Sequence, residues 1–289
     1  MVAYYRARTL EEALSLRRSR PVVVLAGGTD VYPARAARIG WGDLAHADIL
    51  DISAIAGLRG VTEVGDHWRI GALTTWTDLL RSDLPPLFDG LKRAAREVGG
   101  VQIQNRGTLA GNICTASPAG DGAPNLLALD ARIELASPAG RRAVAMADFI
   151  DGYRHTACRA DELVTAILVP TANSGAQSGF LKLGARKYLV ISMVMVAGVI
   201  ETDGAGRIAA ARLAVGACSA RPQRLLGLEA DLLGELLAAA AELAAPSHFE
   251  VLTPIDDIRG SAAYRRAAAL ALTRDILRDL ERAAPRRAA

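Results

Sequence analysis

Two glycine-rich segments of the chain carry residue types that bind phosphate groups. The first, residues 26–31, reads AGGTDV and follows the apolar run 22–25. Glycine lets the backbone approach a ligand closely, and successive N–H groups in such a turn can bind a pyrophosphate. Thr29 adds a hydroxyl group. Ordinary turns at the ends of strands use the same residue types, and for a single short motif the ordinary turn is the more frequent case.

The second segment, residues 105–121, contains NRGTLAGN at 105–112 and ASPAGD at 116–121. Small residues and hydrogen-bond donors dominate it, so we predict a loop over residues 102–122. Long loops without regular structure are usually functional in compact domains. Composition alone leaves a binding loop and a plain connection equally open.

Several other kinds of site are excluded by missing motifs. The chain has no GxGxxG that enters a helix, no GxxxxGK[ST] and no nucleophile elbow, so neither a Rossmann site, a P-loop nor a hydrolase triad is predicted. The cysteines lack the CxxC spacing of zinc and iron–sulfur sites, and the histidines are scattered. These residues are Cys114, Cys158, Cys218, His46, His67, His155 and His248. We therefore predict no catalytic residue and no metal ligand.

Charge and hydropathy indicate a cytoplasmic protein that binds neither nucleic acid nor membrane. The chain has 34 Lys+Arg against 31 Asp+Glu, and the basic residues are not gathered in one block, apart from a short tail at 282–287. Residues 190–200 form the most apolar run, which is shorter than the ~20 residues of a membrane helix. The first twenty residues lack the apolar core of a signal peptide.

The pattern of apolar residues predicts an α+β protein in two domains. Strands are predicted at 22–25, 49–52, 68–72, 131–135, 163–169, 180–183, 191–201 and 208–217. Helices are predicted at 9–18, 84–98, 125–130, 222–244 and 261–282. The small polar stretch 171–178 is a candidate linker. We therefore predict a first domain over 1–175, with subdomains at about 1–55 and 56–175, and a second over 176–289.

Taken together, seven short pieces of the sequence resemble a known family. They are AGGTD at 26–30, GALTT at 71–75, NRGTLAGN at 105–112, ASPAGD at 116–121, FLKLGARKYLVIS at 180–192, RPQRL at 221–225 and DDIRGSAAYRR at 256–266. In order and spacing they resemble the FAD-binding subunit of molybdenum hydroxylases, such as the medium subunits of carbon monoxide dehydrogenase and bacterial xanthine dehydrogenase. The resemblance covers nearly the whole chain.

The resemblance implies the fold. The first domain would be an FAD-binding domain of the vanillyl-alcohol-oxidase (PCMH) type, in which FAD lies between two small α+β subdomains. The second would be an α+β domain like the carbon monoxide dehydrogenase flavoprotein C-terminal domain.

The resemblance also implies a set of residues that bind FAD. Residues from the first segment would hold the pyrophosphate through backbone N–H groups, namely Ala26, Gly27, Gly28, Thr29, Asp30 and Val31. The other side of the nucleotide would meet Thr108, Leu109, Ala110, Gly111 and Asn112. The remaining candidates are Thr74, Ser117, Asp121, the Val164 backbone and Lys182.

Three of these positions carry specific expectations from the resemblance. Asp121 would accept hydrogen bonds from cofactor hydroxyls. Lys182 would lie close to the isoalloxazine, where a cation favours the anionic reduced flavin. Ala110 departs from the family pattern, since TLAGN replaces TIGGN, and its methyl group should slightly restrict the turn. Neither loop contains a histidine, so non-covalent FAD is expected.

The function implied by the resemblance is electron transfer within a complex. A small partner subunit would carry two [2Fe–2S] clusters and a large one the molybdopterin, in a heterotrimer that dimerises. Electrons would pass from the clusters through FAD to an acceptor such as NAD or oxygen. This chain has none of the cysteine-rich motifs that such clusters need.

Two alternatives from other classes stay open at this stage. One is a self-contained FAD-dependent oxidase, which would need its own substrate pocket with a base near the flavin. The other is a non-redox nucleotide-binding module, which would bind an adenine nucleotide without flavin reduction. Co-purification with two partners would distinguish the electron-transferring subunit from the self-contained oxidase.

Overall fold

The N-terminal part of the chain is a three-stranded parallel sheet with two helices. The computed structural model describes residues 2–40, 47–172 and 175–283. In chain order this part contains β1 (Tyr4–Arg6), α1 (Leu10–Ser19), β2 (Val22–Leu25), α2 (Val31–Gly40) and β3 (Asp48–Asp51). The strand order is β1-β3-β2, and the central strand β3 pairs in parallel with both neighbours. Thr9 caps α1 by accepting a hydrogen bond from the Glu12 N–H, so the predicted helix start is confirmed.

The next part is a five-stranded antiparallel sheet covered by helices. It begins with β4 (Val61–Val64), β5 (His67–Gly71), α3 (Trp76–Arg81), α4 (Asp89–Glu97), α5 (Val101–Gln104), α6 (Leu109–Thr115) and α7 (Gly122–Ala128). It continues with β6 (Arg132–Ser137), β7 (Gly140–Ala145), α8 (Met146–Phe149), β8 (Ile150–Gly152), β9 (His155–Thr156) and β10 (Leu163–Pro170). The strand order β4-β5-β10-β6-β7 places the last strand in the centre of the sheet.

The C-terminal part is a four-stranded antiparallel sheet with helices packed on it. Its elements are β11 (Gln177–Leu183), β12 (Val194–Thr202), β13 (Ile208–Gly216), β14 (Gln223–Arg224), α9 (Leu226–Leu232), α10 (Ala240–Leu243) and α11 (Ala262–Ala283). The strand order is β11-β12-β13-β14. Ile276, Leu277 and Leu280 of α11 are buried at helical spacing, and Ile276 packs against Gly179 of β11.

One hydrophobic core crosses from the second sheet into the third. Phe88 and Leu91, at the start of α4, belong to the same buried cluster as Phe180 of β11 and Met195 of β12. At this contact the Ser178 hydroxyl oxygen accepts a hydrogen bond of 2.8 Å from the backbone N–H of Gly90. The FAD-binding half predicted from the sequence and the C-terminal half are therefore packed through shared apolar side chains.

Two predictions about local structure are wrong. Residues 102–122 are not a continuous loop, because α5 and α6 lie within them. Their small residues form short capped helices, with Thr108 as the N-cap of α6. Residues 222–244 are not one helix, since they contain β14, α9, a 3₁₀ turn at Leu237–Ala239 and α10. The helical pattern is broken at Gly234, which has a φ of +80°.

The ends of other helices and strands differ from the predicted ends by a few residues. The strand expected from 191 begins at Val194, and the helix expected from 125 begins at Gly122. Helix α2 was not predicted, although Pro33 in its first turn is a recognised signal for a helix start. Residues 173–174 of the predicted linker, His46, and residues 284–287 of the basic tail lie outside the described residues.

Candidate cofactor site

A cavity of about 650 Å³ lies between the N-terminal sheet and the helices of the second sheet. This volume is within the range of cofactor and small-molecule sites. The wall on one side is made by β2 and the segment that follows it. The opposite wall is made by α6, the turn after it and the start of β10. Both glycine-rich segments singled out in the sequence therefore line one cavity.

The two segments meet through backbone atoms at Gly27. A Cβ placed on Gly27 would lie 1.9 Å from the carbonyl oxygen of Arg106, so no side chain fits there. Beside this contact, a Cβ on Gly107 would lie 3.3 Å from the Thr29 hydroxyl and 3.4 Å from the Trp76 ring. The close approach explains why the first segment needs glycine at position 27, whereas a Cβ at Gly107 would require shifts of only a few tenths of an ångström.

The first segment presents backbone donors toward the cavity. Gly28 has a φ of +75°, which turns the chain between β2 and α2. Among the described residues, no hydrogen bond outside helices and strands uses the N–H of Gly27, Gly28, Thr29 or Asp30. The N-terminus of the ten-residue helix α2 follows directly. Free N–H groups beside a helix N-terminus form an anion site suited to a phosphate group.

The second segment is held in place by its own hydrogen bonds. The Thr108 hydroxyl accepts from the Gly111 N–H at 2.9 Å, and the Asn112 side-chain oxygen accepts from the Gly122 N–H at 3.0 Å. The Thr115 hydroxyl lies 3.1 Å from the Gly111 carbonyl and 3.3 Å from a carboxylate oxygen of Asp30, so its single proton can bond within its own helix or across to the first segment. Ala110 lies inside a helix rather than in a turn, so its methyl group does not restrict a turn as expected.

Twelve of the sixteen residues proposed to bind the cofactor line this cavity. They are Ala26, Gly27, Gly28, Thr29, Asp30, Val31, Thr108, Ala110, Gly111, Asn112, Ser117 and Val164. At Val164 the pairing of β10 with β6 shifts register before Ala166, which makes a bulge at the cavity wall. The other four, Thr74, Leu109, Asp121 and Lys182, are not among the lining residues.

Thr74 and Leu109 lie behind the cavity wall. The Thr74 hydroxyl is fully buried and donates to the Gly60 carbonyl at 3.0 Å. Its own carbonyl accepts from the Leu109 N–H at 3.2 Å, and the Leu109 side chain is buried in the core. In this structure both residues support the wall, and a direct contact of either one with the cofactor stays a prediction.

Asp121 and Lys182 form a buried ion pair behind the turn that ends at Gly120. Their charged atoms are 2.8 Å apart, and their side chains are 7% and 6% exposed. The Ser192 hydroxyl donates to the second carboxylate oxygen at 3.1 Å. Burial raises the pKa of Asp121, while the charge and hydrogen bond of Lys182 and the hydrogen bond of Ser192 lower it. Both oxygens of Asp121 thus accept hydrogen bonds from protein groups, and its expected contact with cofactor hydroxyls stays a prediction.

A second carboxyl group, that of Glu97, interacts electrostatically with this ion pair. Glu97 lies at the end of α4 and is half-buried. Burial raises the pKa of Glu97; the charge of Lys182 lowers it and that of Asp121 raises it. The charge of Lys182, which belongs to the C-terminal sheet, therefore acts on two acidic groups of the N-terminal half.

Sequence reasoning missed two cations and two thiols in the cavity wall. These residues are Arg17, Arg154, Cys114 and Cys158. The Arg17 Nε donates to the Glu162 carbonyl at 2.5 Å, and the Glu162 carboxylate is bound by Arg142 at 2.6 Å. Cys114 lies between two quoted motifs, but no local signal pointed to Arg154 or to Arg17, which reaches the cavity from α1.

The described residues contain no group of three or more His, Cys, Asp or Glu that could hold a metal ion. No described helix is long and apolar enough to cross a bilayer.

Two protein-family models match the chain. Residues 1–172 match the model described as the FAD binding domain in molybdopterin dehydrogenase. Residues 180–280 match the model of the CO dehydrogenase flavoprotein C-terminal domain. Together they cover both halves of the cavity-bearing structure.

Individual relatives match over nearly the full length. The chain is 33% identical to the glyceraldehyde dehydrogenase medium chain of Sulfolobus acidocaldarius, over 94% of this chain and 95% of that one. It is 29% identical to the nicotinate dehydrogenase FAD-subunit of Eubacterium barkeri, over 96% and 95%. Among solved structures, the carbon monoxide dehydrogenase of Hydrogenophaga pseudoflava, in a form lacking the Mo-pyranopterin moiety, superposes with a TM-score of 0.87 at 28% identity, covering 98% of each chain.

Proposed function

Because the chain belongs to the family of FAD-binding subunits of molybdenum hydroxylases, we propose that it binds FAD non-covalently in the 650 Å³ cavity and serves as the electron-transferring subunit of such a complex. The observation that carries the proposal is the meeting of the two glycine-rich segments around unused N–H groups. FAD bound there would take electrons from the [2Fe–2S] clusters of a partner chain and pass them to an acceptor such as NAD or oxygen.

The wall fits a dinucleotide carrying a pyrophosphate. The N–H groups of Gly28 and Thr29 would hold the phosphates together with the α2 N-terminus. The lining cations Arg17 and Arg154 are matched in number by the lining acids Asp30 and Glu162, so the phosphate contact would rest on the backbone N–H groups. The Asn112 side chain is fixed by its hydrogen bond from the Gly122 N–H and would hold the opposite wall in place. No nucleophile or base is needed for these roles.

The residues behind the wall would position it. The Asp121–Lys182 pair joins the turn that ends at Gly120 to β11 of the C-terminal sheet. Lys182 would thereby fix the distance between that turn and the C-terminal domain. Should a bound flavin draw the Lys182 ammonium toward its ring, Asp121 would retain the hydrogen bond of Ser192.

The chain would act with two partners in the cytoplasm. The family relatives are named medium chains or FAD-subunits, and the described residues offer no metal site of their own. We therefore assign the iron–sulfur clusters to a small partner chain and the molybdopterin with substrate hydroxylation to a large one, in a heterotrimer that dimerises.

The first experiment is the visible spectrum of the purified chain after addition of FAD and removal of the excess. We expect retained flavin bands in the wild type and their loss in Gly27→Leu/Gly28→Leu. Wild-type protein that is folded, is supplied with its partner chains and still retains no flavin would refute the proposal. Flavin reduction by an added small substrate without any partner would instead support the self-contained oxidase.

A further inference from the structure

One cation in the cavity wall, Arg154, has no partner for its charge within the described part of the chain. The other lining cation, Arg17, donates through its Nε to the Glu162 carbonyl at 2.5 Å. The Glu162 carboxylate is bound in turn by Arg142. No hydrogen bond or ion pair joins the Arg154 side chain to another described residue, Asp30 included. The lining charges are therefore equal in number, but the charge of Arg154 is left for a ligand.

The backbone of Arg154 is held in a conformation that residues other than glycine rarely adopt. Arg154 lies in the turn between β8 and β9 and has a φ of +51°. Its N–H donates at 3.1 Å to the carbonyl of Ala116, which ends α6 with a φ of +47°. Such conformations persist only where the surroundings hold them, and they cluster at ligand sites. The hairpin turn is thus fixed to the end of α6, with Arg154 in the cavity wall.

The point where the hairpin is fixed lies beside the first glycine-rich segment. Ala116 directly follows Thr115, whose hydroxyl is 3.3 Å from a carboxylate oxygen of Asp30. Asp30 is the last residue of the run 27–30, whose N–H groups make no hydrogen bond outside helices and strands with a described residue. Arg154 and these N–H groups therefore border the same end of the cavity from opposite walls.

A diphosphate is the ligand group that suits this pair of walls. The guanidinium group offers N–H donors in a planar fork that matches two oxygens of a phosphate group. The N–H groups of the glycine-rich segment are neutral donors for further phosphate oxygens. Because a diphosphate carries oxygens on both of its phosphorus atoms, it can accept hydrogen bonds from both walls at once.

We propose that Arg154 binds the diphosphate of FAD from the wall opposite the glycine-rich segment, an inference that rests on the proposed function. The N–H groups of the segment supply neutral donors, and Arg154 supplies the cation of the site. Without its guanidinium group the diphosphate would be held by N–H groups alone. The competing ligand for Arg154 is a phosphate group of a separately bound electron acceptor, in which case the affinity for FAD would not depend on this residue.

The test is titration of the full chain with FAD at low and at high salt, followed by flavin fluorescence. We expect Arg154→Met to weaken FAD binding about 10- to 100-fold at low salt, the usual effect of losing a hydrogen bond to a charged group. The affinity of the wild type should fall as salt is added and that of the variant should fall less, since salt screens an exposed charge. Arg154→Lys should lie between them, because it keeps the charge but not the planar fork.

Phosphorus NMR of the bound FAD reports on the diphosphate itself. We expect its resonances to shift in Arg154→Met relative to the wild type. Arg8→Met is the matched control, because Arg8 is also exposed but does not line the cavity. It removes the same charge and should leave the affinity, the salt dependence and the resonances unchanged.

A glycine variant separates the side chain of Arg154 from its backbone. Glycine adopts a positive φ without strain, so Arg154→Gly should be at least as stable as the wild type and should still lose FAD affinity as Arg154→Met does. Wild-type FAD affinity in both variants, or a loss with unchanged salt dependence and unchanged phosphorus resonances, would overturn the inference. A folded wild type that binds no FAD would instead count against the proposed function.

Discussion

The Cα of Gly27 lies against the carbonyl group of Arg106, so that a Cβ at Gly27 would be 1.9 Å from that oxygen. This contact between two backbones, separated by 79 positions in the sequence, closes one end of the cavity. The backbone cannot yield cheaply, because the Gly107 N–H next to Arg106 donates to the Ile103 carbonyl. Gly27 is therefore needed for space rather than for a positive φ.

The first prediction concerns this contact. Gly27→Ala should push the two segments apart, abolish retention of FAD and lower the free energy of unfolding by about 1–3 kcal/mol, the usual cost of overpacking. Gly57→Ala is the control, because a Cβ at Gly57 meets nothing within 4 Å. FAD titration and denaturant unfolding would measure both effects. Wild-type FAD affinity in Gly27→Ala would show that the segments can separate without loss of the site.

The second prediction concerns the buried ion pair. Lys182→Met leaves the Asp121 carboxylate buried without its cation, so we expect a loss of about 3–5 kcal/mol in the free energy of unfolding of the FAD-free chain. Adding Asp121→Asn should recover part of the lost free energy of unfolding, since the buried charge is then removed. Unchanged stability in Lys182→Met, together with a shifted flavin potential in the complex, would instead place Lys182 at the flavin ring.

The third prediction concerns the contact between the two halves of the chain. A Cβ at Gly90 of α4 would lie 2.7 Å from the Gly179 carbonyl of β11. Gly90→Val should therefore force α4 away from the C-terminal sheet and destabilise the protein by about 1–3 kcal/mol. Because one core spans both halves, thermal unfolding of the wild type should show one transition. Two separate transitions in calorimetry would contradict the shared core.

A Gly-Gly pair after a buried strand and a run of small residues with hydroxyls marked the two candidate segments, although an ordinary turn and a plain connection stayed open for them. Twelve of the sixteen proposed residues line the cavity, and their binding of FAD stays a prediction. The family resemblance was needed to join these two segments, because nothing local predicts that Gly27 meets Arg106.

Residues outside the prediction depend on tertiary contacts. Arg17 reaches the cavity from α1 and is aimed by the Glu162 carbonyl, which is 145 positions away. The partner of Asp121 is Lys182 on another sheet, and a lone lysine on a strand carries no signal of burial. The small residues at 102–122 have little intrinsic helix propensity and therefore suggested a loop. The short helices that form there are stabilised by packing, which the local sequence does not show.

The last prediction concerns the pH dependence of stability through Glu162, which anchors the cavity wall near Arg17. Its carboxylate is 3% exposed and receives two hydrogen bonds from Arg142, at 2.6 and 2.8 Å. The Arg142 hydrogen bonds hold the pKa of Glu162 below its ordinary value. The stabilisation is therefore complete above the unfolded pKa of about 4.3, and it is lost as the pH falls through the folded value. Glu162→Gln should thus be less stable than the wild type by about 1–3 kcal/mol at pH 7.

That difference should narrow as the pH drops below about 4, because the wild-type carboxylate then becomes protonated as well. Denaturant unfolding at a series of pH values would measure it, with the exposed Glu63→Gln on β4 as the control. A difference that stays constant from pH 7 to pH 3 would mean that Glu162 acts through packing and not through its charge. In that case Arg142→Met and Glu162→Gln should lower the stability by similar amounts. If the charge matters, Arg142→Met should be the more damaging change at neutral pH, because the buried carboxylate would keep only the hydrogen bond of the Arg159 N–H.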